Sequence, residues 1–87
     1  MPNGSVYIGY FSNNMKNGFG ILREFNSDKY VGFWKDDLKH GIGDETFYIG
    51  MEYQGFYANG LKSGKGIQKW SNDNLYIGNW ENNVQNG

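Results

Sequence analysis

The chain is 87 residues long, which allows one small domain or one piece of a repeat array. Its 14 glycines accompany a single proline, which excludes collagen, and its six phenylalanines, seven tyrosines and three tryptophans argue against disorder. The absence of cysteine excludes disulfides and favours a reducing compartment, and a net charge of −1 gives no electrostatic basis for tight nucleic-acid binding.

The first residues, MPNGSVY, contain neither a basic leader nor an apolar core, so we expect no signal peptide and a cytoplasmic location. No apolar run in the sequence approaches the roughly 20 residues that span a bilayer. Without an export signal, the acceptor sequence Asn3-Gly4-Ser5 is expected to remain unglycosylated.

A 23-residue repeat begins at Tyr7 and organises the rest of the chain. Its columns are Tyr7, Tyr30, Tyr53 and Tyr76; Gly9, Gly32, Gly55 and Gly78; Phe11, Trp34, Tyr57 and Trp80; Gly18, Gly41, Gly64 and Gly87; and Gly20, Gly43 and Gly66. We divide the chain into the tail of a preceding unit (1–6), full units at 7–29, 30–52 and 53–75, and a partial unit at 76–87.

Each unit is predicted to form a β-hairpin. The turns are Asn13-Asn14, Asp36-Asp37, Asn59-Gly60 and Asn82-Asn83, because Asn, Asp and Gly tolerate the positive φ that both centres of a type I′ turn require. Counting outward from the second turn pairs Lys35 with Leu38, Trp34 with Lys39, Phe33 with His40, Gly32 with Gly41, Val31 with Ile42 and Tyr30 with Gly43.

Side chains alternate between the faces of a strand, so Tyr30, Gly32 and Trp34 share one face, which we call the glycine face. Rings can fold over the bare glycine backbone there. The second face carries mostly apolar residues: Ile8, Tyr10, Met15 and Phe19; Val31, Phe33, Leu38, His40 and Ile42; Gln54, Phe56 and Leu61; and Ile77 and Val84.

The predicted fold is therefore all-β, a single-layer elongated antiparallel sheet of tandem β-hairpins. No stretch has apolar residues at helical spacing, so the chain offers no helix for a second layer. The rings can cover the glycine face, but the second face needs a cover supplied by a partner, by further polypeptide or by a second copy.

The pattern Tyr-x-Gly-x-aromatic, a short Asn/Asp/Gly turn and then Gly-x-Gly resembles the MORN repeat (membrane occupation and recognition nexus). The resemblance implies an elongated ribbon of hairpins. It also implies an interaction or dimerisation scaffold of the kind found in cytoskeletal, ciliary and membrane-junction proteins. Some MORN segments lie beside catalytic domains, such as lipid kinases and lysine methyltransferases, without performing the chemistry.

Two departures from the family pattern carry expectations. Ser27-Asp28 and Asp73-Asn74 stand where Asp-Gly usually precedes the next tyrosine, so we expect irregular links between units. The last hairpin is half complete, so we expect the chain to be part of a longer array, with an open strand edge through which copies can pair.

No motif supports catalysis, a metal or a cofactor. His40 is the only histidine and has no cysteine to complete a zinc site. Asp36-Asp37 occupies a predicted turn, and Gly18-Phe19-Gly20 lacks the third glycine and the helix of a nucleotide-binding loop. We predict that the segment is not an enzyme.

A lysine row is the first candidate site. Lys16, Lys39 and Lys62 are predicted to face Phe11, Trp34 and Tyr57, with Gln85 opposite Trp80 in the last unit. At cross-strand distance each lysine can make a cation–π contact with the ring it faces. Either their stems simply cover these rings in solvent, or they form a cationic rail for acidic residues or lipid phosphates.

An apolar strip on the second face is the other candidate site, formed by Ile8, Tyr10, Val31, Phe33, Phe56 and Ile77. Either the parent protein buries it or it binds a partner. Units repeat every ~10 Å along the sheet, which equals six or seven residues of a helix at 1.5 Å rise, so a helical partner with a heptad-like repeat is expected.

The function predicted is a non-catalytic protein–protein interaction or assembly scaffold of a cytoskeletal or ciliary protein, including self-association. Two alternatives stay open: a phosphoinositide- or anionic-membrane-binding module, and the regulatory arm of an enzyme that lies outside this segment. Lipid-binding surfaces concentrate basic residues on one side, whereas here eight basic residues are spread over all units.

Overall fold

The computed structural model describes residues 4–86, which form eight β-strands and no helix. The strands are β1 (Val6–Ser12), β2 (Met15–Arg23), β3 (Lys29–Lys35), β4 (Leu38–Thr46), β5 (Glu52–Ala58), β6 (Leu61–Lys69), β7 (Leu75–Glu81) and β8 (Val84–Gln85). They pair in chain order as one antiparallel sheet, which confirms the predicted all-β, single-layer fold. Asn3 of the acceptor sequence and Gly87 of the glycine column lie outside the described residues.

The four hairpin turns have the predicted backbone conformation. Both central residues of every turn have positive φ, between 50° at Asp36 and 87° at Gly60. The last three turns also bond to the preceding unit: for example, the Asp37 N–H donates to the Lys16 carbonyl (3.0 Å), and the Asn83 N–H donates to the Lys62 carbonyl (3.0 Å). The turns therefore connect neighbouring units as well as neighbouring strands.

The links between units are regular, so the expectation of irregular links is wrong. Ser27, Gly50 and Asp73 occupy equivalent positions and all have positive φ (77°, 94° and 71°). Asn26 helps in the first link, where its Oδ1 accepts a hydrogen bond from the Asp28 N–H (3.1 Å). Ser and Asp can thus replace glycine here because short polar side chains stabilise tight turns locally.

A β-bulge shifts the register in each of the first three hairpins. In the second hairpin Trp34 faces Lys39 as predicted, but Gly32 faces Gly43. The predicted pairs Phe33–His40, Gly32–Gly41, Val31–Ile42 and Tyr30–Gly43 are therefore wrong. The two extra residues lie on β4, next to Gly41 with its φ of 85°. Because two is an even number, side chains keep their assigned faces beyond the bulge.

The core lies on the glycine face as a ladder of rings. Tyr30, Trp34, Tyr53, Tyr57 and Trp80 are buried, each with no more than 6% of its surface exposed. Successive rings meet edge to face with centroids 4.9–5.7 Å apart, an arrangement that aromatic quadrupoles favour. The core therefore continues from unit to unit along the sheet.

Glycine creates the space in which each tyrosine ring lies. A Cβ added at Gly43 would lie 2.5 Å from Cε1 of Tyr30, and a Cβ at Gly32 would lie 2.6 Å from the Gly43 Cα. The Tyr30 hydroxyl crosses the slot and donates to the carbonyl of Phe33, inside the bulge (2.8 Å). The rings thus fold over bare backbone, as the sequence predicted.

The sheet is a ribbon one layer thick. Its dimensions are 37 × 24 × 15 Å, and eight strands at about 4.8 Å account for the long dimension. The neighbours Phe33 and Trp34 show the difference between the faces, because Phe33 is 44% exposed and Trp34 is 6% exposed. The chain's own rings cover most of the glycine face, whereas the second face is open.

Candidate interaction surface

The second face exposes the apolar strip predicted from the sequence. Ile8, Tyr10 and Ile77 are 68–71% exposed, and Phe33 and Phe56 are 44% and 47% exposed. Val31 is partly buried among them. Contiguous apolar surface on this scale typically marks a site of interaction.

Sequence reasoning missed two members of this surface, Ile21 and Ile67. The second strand of each of the first three hairpins is nine residues long and contains a bulge, so its last residues pair with the first strand beyond the point where the simple hairpin register ends. A central row of cross-strand neighbours results: Ile8, Ile21, Val31, Asp44, Gln54, Ile67 and Ile77. Ile21, Asp44 and Ile67 are spaced 23 residues apart, and this spacing is the sequence feature that could have identified the two isoleucines as equivalent members of the face.

Two shallow cavities open along the second face. The first, of about 380 Å³, lies against Phe19, Val31, Phe33 and Ile42. The second, of about 330 Å³, lies against Phe56, Ile67 and Ile77. Gln54 and Gly55 line both cavities, so they form the wall between them. The face is therefore contoured, with two apolar depressions on either side of a polar divider.

Gln54 of this divider belongs to a cluster of three polar side chains, Asp44, Glu52 and Gln54, which we call the polar notch. The Gln54 Nε2 donates to Asp44 Oδ2 (3.1 Å) and to Glu52 Oε2 (3.2 Å). The Asp44 Oδ1 is buried and accepts no hydrogen bond from the described residues. Two carboxylates are thus held together by one amide in the middle of an apolar row.

This crowding raises the pKa of Glu52. Burial is the first cause, and the nearby Asp44 carboxylate is the second, while Gln54 and Lys69 oppose the shift. A carboxyl whose pKa is higher in the folded state favours folding when protonated. Its contribution to stability is therefore complete below the ordinary glutamate pKa and is lost as pH rises through the folded-state pKa.

Glu52→Gln is accordingly expected to make the protein more stable than wild type at pH 7, by less than about 1 kcal/mol because the group is only partly buried. The difference should vanish at pH 4, where the wild-type carboxyl becomes protonated. Urea unfolding at the two pH values measures it. In an Asp44→Asn background, Glu52→Gln should raise stability less at pH 7. An equal effect of Glu52→Gln at both pH values would contradict a raised Glu52 pKa.

The lysine row lies on the glycine face, but its rings differ from those expected. Cross-strand pairing with Phe11, Trp34 and Tyr57 is as predicted. The cation–π partners are instead the first tyrosine of the same unit and the aromatic of the next unit. Lys16 lies over Tyr7 and Trp34, Lys39 over Tyr30 and Tyr57, and Lys62 over Tyr53 and Trp80, at 4.9–5.8 Å from the ring centroids.

The lysine nitrogens also have polar partners within the chain. Lys39 Nζ lies 2.8 Å from Glu45 Oε2, and the Tyr57 hydroxyl donates to Glu45 Oε1 (2.7 Å). Burial lowers the pKa of Lys62, whose Nζ donates to Gln68 (3.0 Å). These contacts attach the row to the aromatic core, so it contributes to folding, and its use as a rail for anions stays a prediction.

Phe11 and Trp80, the end members of the aromatic column, differ in burial. Trp80 packs against Tyr53 (5.5 Å) and is buried. Among the rings of the described residues, Phe11 meets only Tyr7 of its own unit (5.0 Å), and it is 60% exposed. Burial in this column therefore depends on a tyrosine from the preceding unit.

His40 and the Asp36-Asp37 turn have structural contacts. The His40 Nδ1 accepts a hydrogen bond from the Asn59 N–H in the next turn (3.4 Å), as Asn17 Oδ1 does from the Asp36 N–H (3.1 Å). The Asp37 Oδ1 accepts from the Lys16 N–H (2.7 Å). Across residues 4–86, no group of three potential metal ligands comes together, and no helix has the length and apolar character needed to cross a bilayer.

Comparison with known protein families identifies the family of the repeat. The MORN repeat family model matches residues 7–23, 30–52, 53–75 and 76–87. No curated protein sequence matches the chain significantly. The matched segments contain the ring ladder, the apolar strip and the polar notch.

Proposed function

We propose, from the premise that this chain belongs to the MORN repeat family, that it is a non-catalytic scaffold that binds a protein partner on its second face. MORN repeats form a non-catalytic module that generally takes part in protein–protein or membrane–lipid interactions. The observation that carries the proposal is the asymmetry of the ribbon. Most rings of the glycine face are buried against one another, whereas Phe33, Phe56 and Ile77 on the other face remain exposed.

The size of the second face supports this function. An outline of 37 × 24 Å is comparable to the roughly 800 Å² that each partner contributes to a stable protein interface. The face also has the composition of an interface centre, in which aromatic and aliphatic side chains dominate. One bound partner can therefore cover most of it.

A helix lying along the sheet is the partner geometry we favour. One hairpin advances about 10 Å, or six to seven helical residues, so one face of a helix can contact successive units. We propose that this assembly is cytoplasmic and belongs to a cytoskeletal or ciliary structure, two of the settings that the family resemblance implies.

The test selects displayed amphipathic helical peptides against the intact chain. Phe33→Asp and Phe56→Asp are expected to weaken binding of the selected peptides by several-fold, because each places a charge on the contact surface without touching the ring ladder. Tyr48→Asp is the matched control, since Tyr48 is 67% exposed in a link between units. Circular dichroism confirms that the variants fold, and unchanged binding by both aspartate variants would overturn the proposal.

Anionic membrane is the second candidate ligand. Arg23 and Lys29 are cross-strand neighbours at the border of the second face, beside its exposed apolar residues, and basic groups near apolar side chains favour anionic lipid surfaces. Sedimentation with vesicles of phosphatidylserine and phosphatidylcholine tests this candidate. Salt-sensitive binding that is lost in Arg23→Glu/Lys29→Glu would place lipid above protein as the ligand.

A further inference from the structure

We infer that the partner helix presents an arginine or lysine to the polar notch, between two apolar side chains that enter the cavities on either side. This inference rests on the proposed function and adds the chemistry of the partner. It follows from three features of the second face: its interrupted repeat, the two adjacent carboxylates without an ion pair and the placement of the cavities.

The polar notch interrupts an otherwise apolar row. Asp44 is equivalent to Ile21 and Ile67 in the neighbouring units. Gln54 is equivalent to Ile8, Val31 and Ile77. Neither fold nor turn chemistry requires a polar residue at these positions, because the other units form the same strands with isoleucine and valine. The notch therefore provides recognition at one point along the array.

Among the described residues, no lysine or arginine forms an ion pair with a notch carboxylate, although the charge of Lys69 acts on Glu52. Carboxylates only accept hydrogen bonds, and the Gln54 amide already donates to both of them. Lys69, which is paired across the strands with Glu52, forms its ion pair with Asp73 instead (3.8 Å). The Asp44 Oδ1 is buried and accepts no hydrogen bond from the described residues, and burial followed by the Asp44 carboxylate raises the pKa of Glu52. The notch therefore holds negative charge that no ion pair within residues 4–86 neutralises.

Covering this notch has a chemical requirement. A purely apolar partner would remove the carboxylates from water without replacing their hydrogen bonds, which opposes binding. A guanidinium or ammonium group supplies donors and opposite charge at once, and arginine matches two adjacent carboxylates with its planar set of N–H groups. The notch therefore selects for a basic side chain and against an apolar one.

The cavities determine what flanks that basic residue. Because Gln54 and Gly55 form the wall between them, a helix crossing the notch places one side chain in each depression. The cavities are about one repeat apart, so the two apolar side chains are expected at positions i and i+7, with the basic residue at i+3 or i+4. The partner motif is thus apolar, basic, apolar on one helix face.

A displayed library of amphipathic helices tests the motif. Positions i and i+7 are held as leucine and the positions between them are randomised, and selection is run on the intact chain and on the double variant Asp44→Ile/Gln54→Val. These substitutions copy residues from neighbouring units. Arginine or lysine should be enriched at i+3 or i+4 at least tenfold on the wild type, and apolar residues should replace them on the variant.

Affinity measurements then separate this inference from the proposed function. Replacing the selected basic residue by methionine should weaken binding at least tenfold to the wild type and leave binding to the double variant unchanged. Selected peptides that bind Phe33→Asp more weakly but show no preference for a basic residue at i+3 or i+4 would overturn the inference. The proposed scaffold function would still stand. If no peptide is enriched, or if only anionic vesicles bind, both ideas fail. If Asp44→Ile/Gln54→Val does not fold, the variant Asp44→Asn/Glu52→Gln is used in its place.

Discussion

Gly43→Ala is expected to lower the free energy of unfolding by about 3 kcal/mol, the effect of forcing an extra carbon into a closely packed core. The new Cβ would lie 2.5 Å from Cε1 and 2.6 Å from Cζ of Tyr30. That ring is 2% exposed and is held between Trp34 (4.9 Å) and Tyr57 (5.4 Å), so it cannot move away. Urea denaturation followed by tryptophan fluorescence measures the loss.

A double variant isolates the cause. Gly43 does not have positive φ, so its backbone accepts alanine. Such a change stabilises a protein by roughly 0.4–1 kcal/mol where there is space, because alanine restricts the unfolded chain. In a Tyr30→Ala background, Gly43→Ala should therefore become neutral or slightly stabilising. If the destabilisation persists without the Tyr30 ring, the slot is not what requires glycine.

Tyr53→Ala is expected to have a still larger effect, about 4 kcal/mol, as truncation of a large buried aromatic generally does. Tyr53 is completely buried and its ring contacts Tyr57 (5.2 Å) and Trp80 (5.5 Å). Since a small domain has only about 5–15 kcal/mol of stability, much of the array is expected to unfold well before the wild type does. Thermal unfolding monitored by circular dichroism measures the effect.

The conservative variant divides this effect between ring and hydroxyl. Tyr53→Phe removes the hydrogen bond from the hydroxyl to the Phe56 carbonyl (2.9 Å) and should cost about 1 kcal/mol, the usual net value of such a bond. Ile77→Ala, at a 71% exposed site of the second face, is the matched control and should change stability little. If Ile77→Ala destabilised as much as Tyr53→Ala, the core would not be confined to the glycine face.

The sequence was enough to assign each aromatic side chain to a face of the sheet, but it was not enough to predict which rings and lysines contact one another. Alternation separates Phe33 from Trp34 whatever the register, and their exposures confirm it. The rings over which Lys39 lies come from Tyr30 and from Tyr57 of the next unit. The hairpin that contains Lys39 contains only Tyr30 of these two. Cross-strand pairing within that hairpin therefore predicts Trp34 as the ring that Lys39 contacts.

The grouping of the polar notch could not be predicted from the sequence either. The simple hairpin register assigns Gln54 to the second face, but it ends before Asp44 and assigns no face to Glu52. Only the bulge places Asp44 beside Val31, and only pairing between units places it beside Gln54. The sequence could indicate that Asp44 breaks a column of isoleucines, but not that its carboxylate would share an amide with Glu52.

By itself the sequence determined the repeat length, the position and conformation of the turns, the strand order and the assignment of side chains to two faces. These properties depend on local chemistry: φ tolerance at Asn, Asp and Gly, and the two-residue period of a strand. The tertiary structure alone decided the register beyond the bulge, the rings that each lysine contacts and the grouping of the notch. The register follows the bulge, where the Tyr30 hydroxyl meets the Phe33 carbonyl. The lysine contacts and the notch depend on how one hairpin packs against the next, which no single repeat contains.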